Sequence, residues 1–277
     1  ELADIQYSSF NNSVSVDLLS IYTGTIYPVG TPREPVNNFI DALDIASERG
    51  FSKINIIGNA IIDFGLDYSG KIFYGESITK SILTIDVAAQ VSGCEFFNAT
   101  IQGTLDGGST IKECKIMNLD YVNGIVESCI LNGTITLSGN AILLDCWDDL
   151  PNSTPTIDFN NTSSSLSMSN YNGQIFFKNK NSNESVIIDL NSGKITLENT
   201  VTAGTITIRG VGQVINNSVG ATVDTTFLLN PSTITDSILD AQTSEHLISG
   251  SIGEAIVNSG LTTEQAKQLL LIFVNSL

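Results

Sequence analysis

Four cysteine-centred lines between Val91 and Trp147 constrain this chain more than any other feature. They read Val91-Ser-Gly-Cys94-Glu-Phe96, Ile111-Lys-Glu-Cys114-Lys-Ile116, Val126-Glu-Ser-Cys129-Ile-Leu131 and Leu143-Leu-Asp-Cys146-Trp147. Each sets an aliphatic residue three positions before a cysteine, and the cysteines fall 20, 15 and 17 residues apart. Recurrence of this kind marks a solenoid, in which each supersecondary turn stacks on the one before it. The lines are rich in Ile, Val, Thr, Gly and Asn rather than in helix formers. The pattern therefore predicts a mainly β chain folded as a parallel β-helix, its successive turns paired at about 4.8 Å. A cysteine at the same place in each turn then forms a core ladder of Cys94, Cys114, Cys129 and Cys146. No pair has the C-x-x-C spacing of a zinc site, and free cysteine packs as a small apolar group. Neither metal nor cofactor is expected.

Charge limits the partners. The 277 residues carry 12 Lys+Arg against 29 Asp+Glu, a net charge of −17. Such a surface repels phosphate backbones, which argues against nucleic acid. It also keeps a β protein with exposed edges in solution by mutual repulsion. No apolar run approaches the roughly 18 residues of a membrane span, so a soluble chain without membrane insertion is expected.

Residues 1–50 read as an N-terminal arm followed by a capping helix. Val14-Ser-Val16 alternates like a half-buried strand. From 35 to 49, Val36, Phe39, Ile40 and Leu43 recur at helical spacing, Ala42 and Ala46 extend the face, and Gly50 stops it. An amphipathic helix there would cover the open end of a β-helix. Residues 51–218 read as the β-helix, with short strands separated by Gly, Asn, Ser or Asp and turns at pairs such as Asn132-Gly133. Asp148 to Pro155 breaks the period as a protruding loop. Residues 219–250 read as a linker, and 251–277 as a C-terminal helical segment for oligomerisation or docking. Leu269, Leu270, Ile272 and Phe273 make its last helix apolar nearly all round, so that it must be buried against something.

Signals for chemistry are sparse. His246 is the one histidine, with no Cys or His beside it. No phosphate-cradling loop is present. The sharper candidates are carboxylates, since glycosidases use a pair across the scissile bond. Asp145, Asp148 and Asp149 lie near Glu113 and Glu127 of preceding turns, and strand alternation would point Glu113 and Asp145 outward and close together. Sugar sites also want aromatic platforms, and Trp147 is the only tryptophan. Arginine-based lyase chemistry is weaker, because none of Arg33, Arg49 and Arg209 sits among acids on a turn of the solenoid.

Several runs resemble a β-helix module of tailed-bacteriophage virion proteins. They are Thr23-Gly-Thr-Ile-Tyr-Pro-Val-Gly-Thr31, Pro35-Val-Asn-Asn with Asp41-Ala42, Ile54-Asn-Ile-Ile-Gly58, Gly103-Thr-Leu-Asp-Gly-Gly108, Leu119-Asp-Tyr-Val-Asn-Gly124 and Gly204-Thr-Ile-Thr-Ile-Arg-Gly210. The resemblance extends over roughly residues 14–258. It implies a right-handed parallel β-helix and a homotrimer, located in the virion beside other virion proteins. It carries no catalytic residues. The expected function is a non-enzymatic fibre, collar, tail or head appendage, acting as a rigid spacer or attachment element. The alternative is a tailspike that binds or cleaves host surface glycan. A third reading, a bacterial surface adhesin of solenoid type, would bring an export leader upstream.

Overall fold

A computed structural model describes residues 9–105, 107–121, 123–231, 260–262, 265, 268 and 272. Its strands stack in parallel as a β-solenoid of about nine turns, and each turn crosses up to three ladders. The first ladder runs through Ser13–Val16, Lys53–Ile56, Ile72–Gly75, Glu95–Phe97, Ser109–Lys112, Gly124–Glu127 and Ala141–Leu144. It continues through the opening residues of Leu166–Lys178 and Val186–Leu197, then Thr205–Val211 and Thr222–Asp224. The second holds Ala60–Ile62, Ile82–Ile85, the start of Thr100–Leu105, Lys115–Tyr121 and Ile130–Leu137, and Trp147–Asp148. The third is built from the far ends of the longer strands, with Thr156–Asp158 and Gln213–Asn216.

Register explains the core. Val14, Ile54, Phe73, Phe96, Ile111, Val126, Leu143, Met168, Ile188 and Ile208 are partners in succession along the first ladder. All ten are buried. The second ladder adds Ala60, Leu83, Ile101, Ile116 and Leu131, and the third adds Leu119, Ile135, Ile157, Phe177 and Leu197. Each fully buried Leu, Ile or Phe contributes about 1.5–3 kcal/mol of transfer free energy. A one-residue slip would turn a whole column outward, so these stacks fix the register.

The corner between the first and second ladders repeats one device. Asn98, Glu113, Ser128, Asp145 and Asn170 all have left-handed backbone, with φ of 53°, 53°, 54°, 53° and 55°. That conformation costs an L-residue roughly 1–2 kcal/mol, and short polar side chains tolerate it best. After each comes a buried residue pointing inward: Ala99, Cys114, Cys129, Cys146 and Tyr171.

The helix Phe39–Arg49 is shorter at its start than residues 35–49. Asn38 caps it, its side-chain oxygen accepting from the N–H of Asp41 at 2.8 Å, while Pro35 and Val36 precede it as extended chain. Gly50, with φ 70°, closes the other end. Phe39, Ala42, Ile45 and Ala46 are buried, and the Phe39 ring meets Tyr68 edge-on at 5.4 Å.

Two boundaries move. The solenoid begins at Ser13–Val16, ahead of the helix, because that strand pairs with Lys53–Ile56. It also runs past residue 218, since Thr222–Asp224 and Leu228–Leu229 both pair with Thr205–Val211. Asn132-Gly133 is no free turn. It lies within Ile130–Leu137, where the register shifts and the strand bends from the second ladder to the third. Most of 251–277 lies outside the described residues.

Candidate functional site

All four cysteines are buried free thiols, but they do not share one column. Cys114, Cys129 and Cys146 stack directly: Ile130 N–H donates to the Cys114 carbonyl at 2.9 Å and Trp147 N–H to the Cys129 carbonyl at 3.1 Å. Cys94 sits elsewhere. Thr110 N–H donates to its carbonyl at 2.9 Å, which sets Cys94 level with Ser109 at the start of the first ladder. Phe96, two residues on, is the true partner of Ile111. The expected four-cysteine ladder is thus a column of three, with Ala99 before it and Tyr171 and Leu190 after it. Burial pushes the Cys94 thiol up to about 11 and those of Cys114 and Cys146 up to about 12. Cys129, between two thiols, is also raised well above the ordinary value by burial. Thiols held so firmly neutral are neither nucleophiles nor ready metal ligands.

Four of the five candidate carboxylates are engaged in the fold. Glu127 pairs with Lys112 at 2.8 Å. Asp145 accepts from the Asn170 amide at 2.6 Å, and Asp148 from the Gln174 N–H at 2.7 Å. Asp149 takes Lys115 at 2.6 Å and the Asn132 amide at 2.5 Å, anchoring the loop that leaves the second ladder. The Lys115 hydrogen bond holds the Asp149 carboxyl below the ordinary carboxylate range. Glu113 and Asp145 occupy the same corner but not neighbouring turns, because Ser128 stands between them. None of these five carboxylates lines a groove with another; Asp63 and Asp86, which the sequence did not single out, share one of about 480 Å³ with Asn37, Asn38 and Phe39.

Two further grooves lie on the outer surface. One, of about 650 Å³, borders the second ladder and is lined by Leu18, Leu19, Ile61, Ile82, Thr84 and Gln102 among others. The other, of about 440 Å³, runs over Gln174, Lys194 and Gln213 on three successive turns, beside Leu150. Trp147, 41% exposed, is not among the residues lining either. Neither groove has an aromatic platform.

Sequence reasoning missed Lys180, which is completely buried. Its ammonium donates to the Ser182 carbonyl at 2.7 Å and lies 5.7 Å from the Phe159 ring centre. Burial lowers its pKa, and Glu184 partly offsets that. Only the flanking Asn179 and Asn181 mark the position, and they read as an ordinary polar turn.

Of the expected docking residues, Leu269, Leu270 and Phe273 lie outside the described residues, as does His246. Ile272 is helical and 71% exposed. Among the described residues no group of three or more His, Cys, Asp or Glu side chains is placed to hold a metal ion. Nor is any described helix long and apolar enough to cross a membrane. No family model, curated protein or solved structure matches the chain.

Proposed function

We propose that the chain is a non-enzymatic structural element of a bacteriophage virion, a rigid homotrimeric spacer or attachment element in a fibre, collar, tail or head appendage. One observation carries the reading. The inward column from Val14 to Ile208 is unbroken, so the turns form a single stiff body rather than a chain of separable units. Nine turns at about 4.8 Å set a fixed span of roughly 43 Å. The engagement of Glu127, Asp145, Asp148 and Asp149 in ion pairs and hydrogen bonds agrees with a scaffold role. Virion placement and the trimer rest on the resemblance of the runs from Thr23 to Gly210.

Two finer features belong to the same proposal. The solenoid is right-handed, the hand that parallel crossover connections take in nearly all proteins. The helix Phe39–Arg49 caps its N-terminal end, where its buried face covers the first turns. The apolar residues Leu269, Leu270, Ile272 and Phe273 serve assembly or docking to a neighbouring virion protein.

Immunogold electron microscopy tests the placement, using particles made from the genome that encodes the chain. Label confined to one appendage supports it. Unlabelled intact particles, with the chain present in the lysate, would overturn it.

A further inference from the structure

We propose that Asp63 and Asp86 bind a calcium ion in the groove they share with Asn37, Asn38 and Phe39, tying the start of the helix Phe39–Arg49 to the second ladder. The proposal depends neither on virion placement nor on the trimer.

An exception in the charge pattern is the first observation. Wherever the described ladders set two charged residues level on successive turns, the signs are opposite: Lys112 with Glu127, Asp158 with Lys178 and Asp189 with Arg209. Asp63 and Asp86 break that rule. Each directly follows its strand, Ile62 is level with Ile85, and the Asp86 N–H donates to the Ile62 carbonyl at 3.0 Å. Turns stack at about 4.8 Å, and like charges set opposite one another destabilise a sheet. Among the described residues neither side chain is in an ion pair. A cation between them turns the repulsion into attraction.

A buried hydroxyl beside the pair is the second. Tyr68 is completely buried, and its hydroxyl has no hydrogen-bond partner among the described residues. The Phe39 ring, which lines the groove, meets the Tyr68 ring edge-on at 5.4 Å. Burial raises the Tyr68 pKa, and the Asp63 and Asp86 carboxylates raise it further, so the hydroxyl lies within their field. Buried polar groups are rarely left without a partner. A water carried by the ion supplies one.

The donor set is the third. The Asn38 side-chain oxygen accepts from the Asp41 N–H at 2.8 Å, and that of Asn37 from the Asn38 amide at 2.9 Å. Each oxygen keeps a second lone pair. The groove thus offers carboxylate and amide oxygens, and neither Cys nor His lines it. Such a set suits calcium, which takes about six to eight oxygens in a flexible shell, water included. Magnesium demands a stricter octahedron and gives up its waters reluctantly.

Titration calorimetry tests this on the full chain, stripped with chelator and titrated with calcium chloride. The expected result is one calcium per chain, bound about tenfold or more weakly by Asp63→Asn and by Asp86→Asn, with Glu198→Gln unchanged. No binding at millimolar calcium overturns the proposal, as does wild-type affinity in both aspartate variants. Magnesium bound as tightly as calcium overturns the choice of ion. Should the aspartate variants misfold, terbium replaces calcium as the probe, because it takes the same oxygen ligands and emits when a nearby tyrosine is excited. Calcium should displace it, and Tyr68→Phe should lower the emission. Emission unchanged in Tyr68→Phe overturns the placement.

Discussion

The backbone N–H of Cys114 points at the sulfur of Cys129, 3.5 Å away on the next turn. That contact places a neutral thiol where a backbone donor would otherwise look into the apolar interior. Cys129 in turn reaches the Glu127 carbonyl at 3.2 Å. Replacing Cys129 by Asp would bury a charge with no cation in reach, and we expect a loss of at least about 3 kcal/mol in urea unfolding. Cys129→Ala, which only removes the sulfur, should cost about 1 kcal/mol. Similar midpoints for both variants would contradict the buried column.

Alkaline pH should weaken the fold well before it attacks the backbone. The thiols titrate near 9.0 once unfolded but at about 11 for Cys94 and about 12 for Cys114 and Cys146 in the native state. Between those values the native state holds more protons, so stability falls as pH rises. The contribution is fully present below pH 9 and is lost toward pH 12, at about 1.4 kcal/mol per pH unit for each thiol involved. Cys129 and the buried phenols of Tyr68 and Tyr171 shift in the same direction. Lys180, with its lowered pKa, acts oppositely but alone. Urea midpoints that stay level from pH 8 to 11 would refute this.

Gly103 has φ 100°, and a Cβ there would strike the carbonyl oxygen of Ile85 on the turn before. Gly58, with φ 70°, has open space around it. Gly58→Ala should therefore cost only the left-handed backbone, about 1–2 kcal/mol. Gly103→Ala adds a clash with fixed backbone and should exceed that by at least about 1 kcal/mol. Thermal unfolding of the two variants decides, and equal losses would mean that the turns are not packed this closely.

Asp149 ties its loop to the solenoid through Lys115 and Asn132. The side chains of the ion pair are 24% and 15% exposed, so its worth is modest. Asp149→Asn should lose about 1 kcal/mol at pH 7. Because the native carboxyl lies below its ordinary 3.8, the difference persists above that pH and closes as pH falls through and below it. Proteolysis within 149–155 should speed up in the variant. Unchanged cleavage and unchanged stability would remove the anchoring role.

The cysteine lines made the solenoid legible because an inward residue must recur once per turn. They misplaced Cys94 because Val91-x-x-Cys94 imitates Ile111-x-x-Cys114 in composition, while the register is set by the larger Phe96 opposite Ile111. The first strand was hidden for another reason. Ser13 pairs with Lys53 across 40 residues that include the helix, a separation no local period can reveal. Gly50 as a helix stop was readable, since its left-handed cap needs no tertiary partner. The carboxylates could not be sorted from sequence, because Asp149 is set apart from Asp145 only by Lys115, 34 residues earlier.

The most direct check of the account is the mass in solution, by light scattering at neutral pH, of the full chain and of a form ending at Ser259. The account predicts a trimer of about 89 kDa for the full chain, three times its 29.6 kDa. A trimer that falls to monomer on truncation would place the interface in the segment after Ser259, and a trimer in both forms would place it on the solenoid. A full chain that is monomeric at micromolar concentration would contradict the central claim.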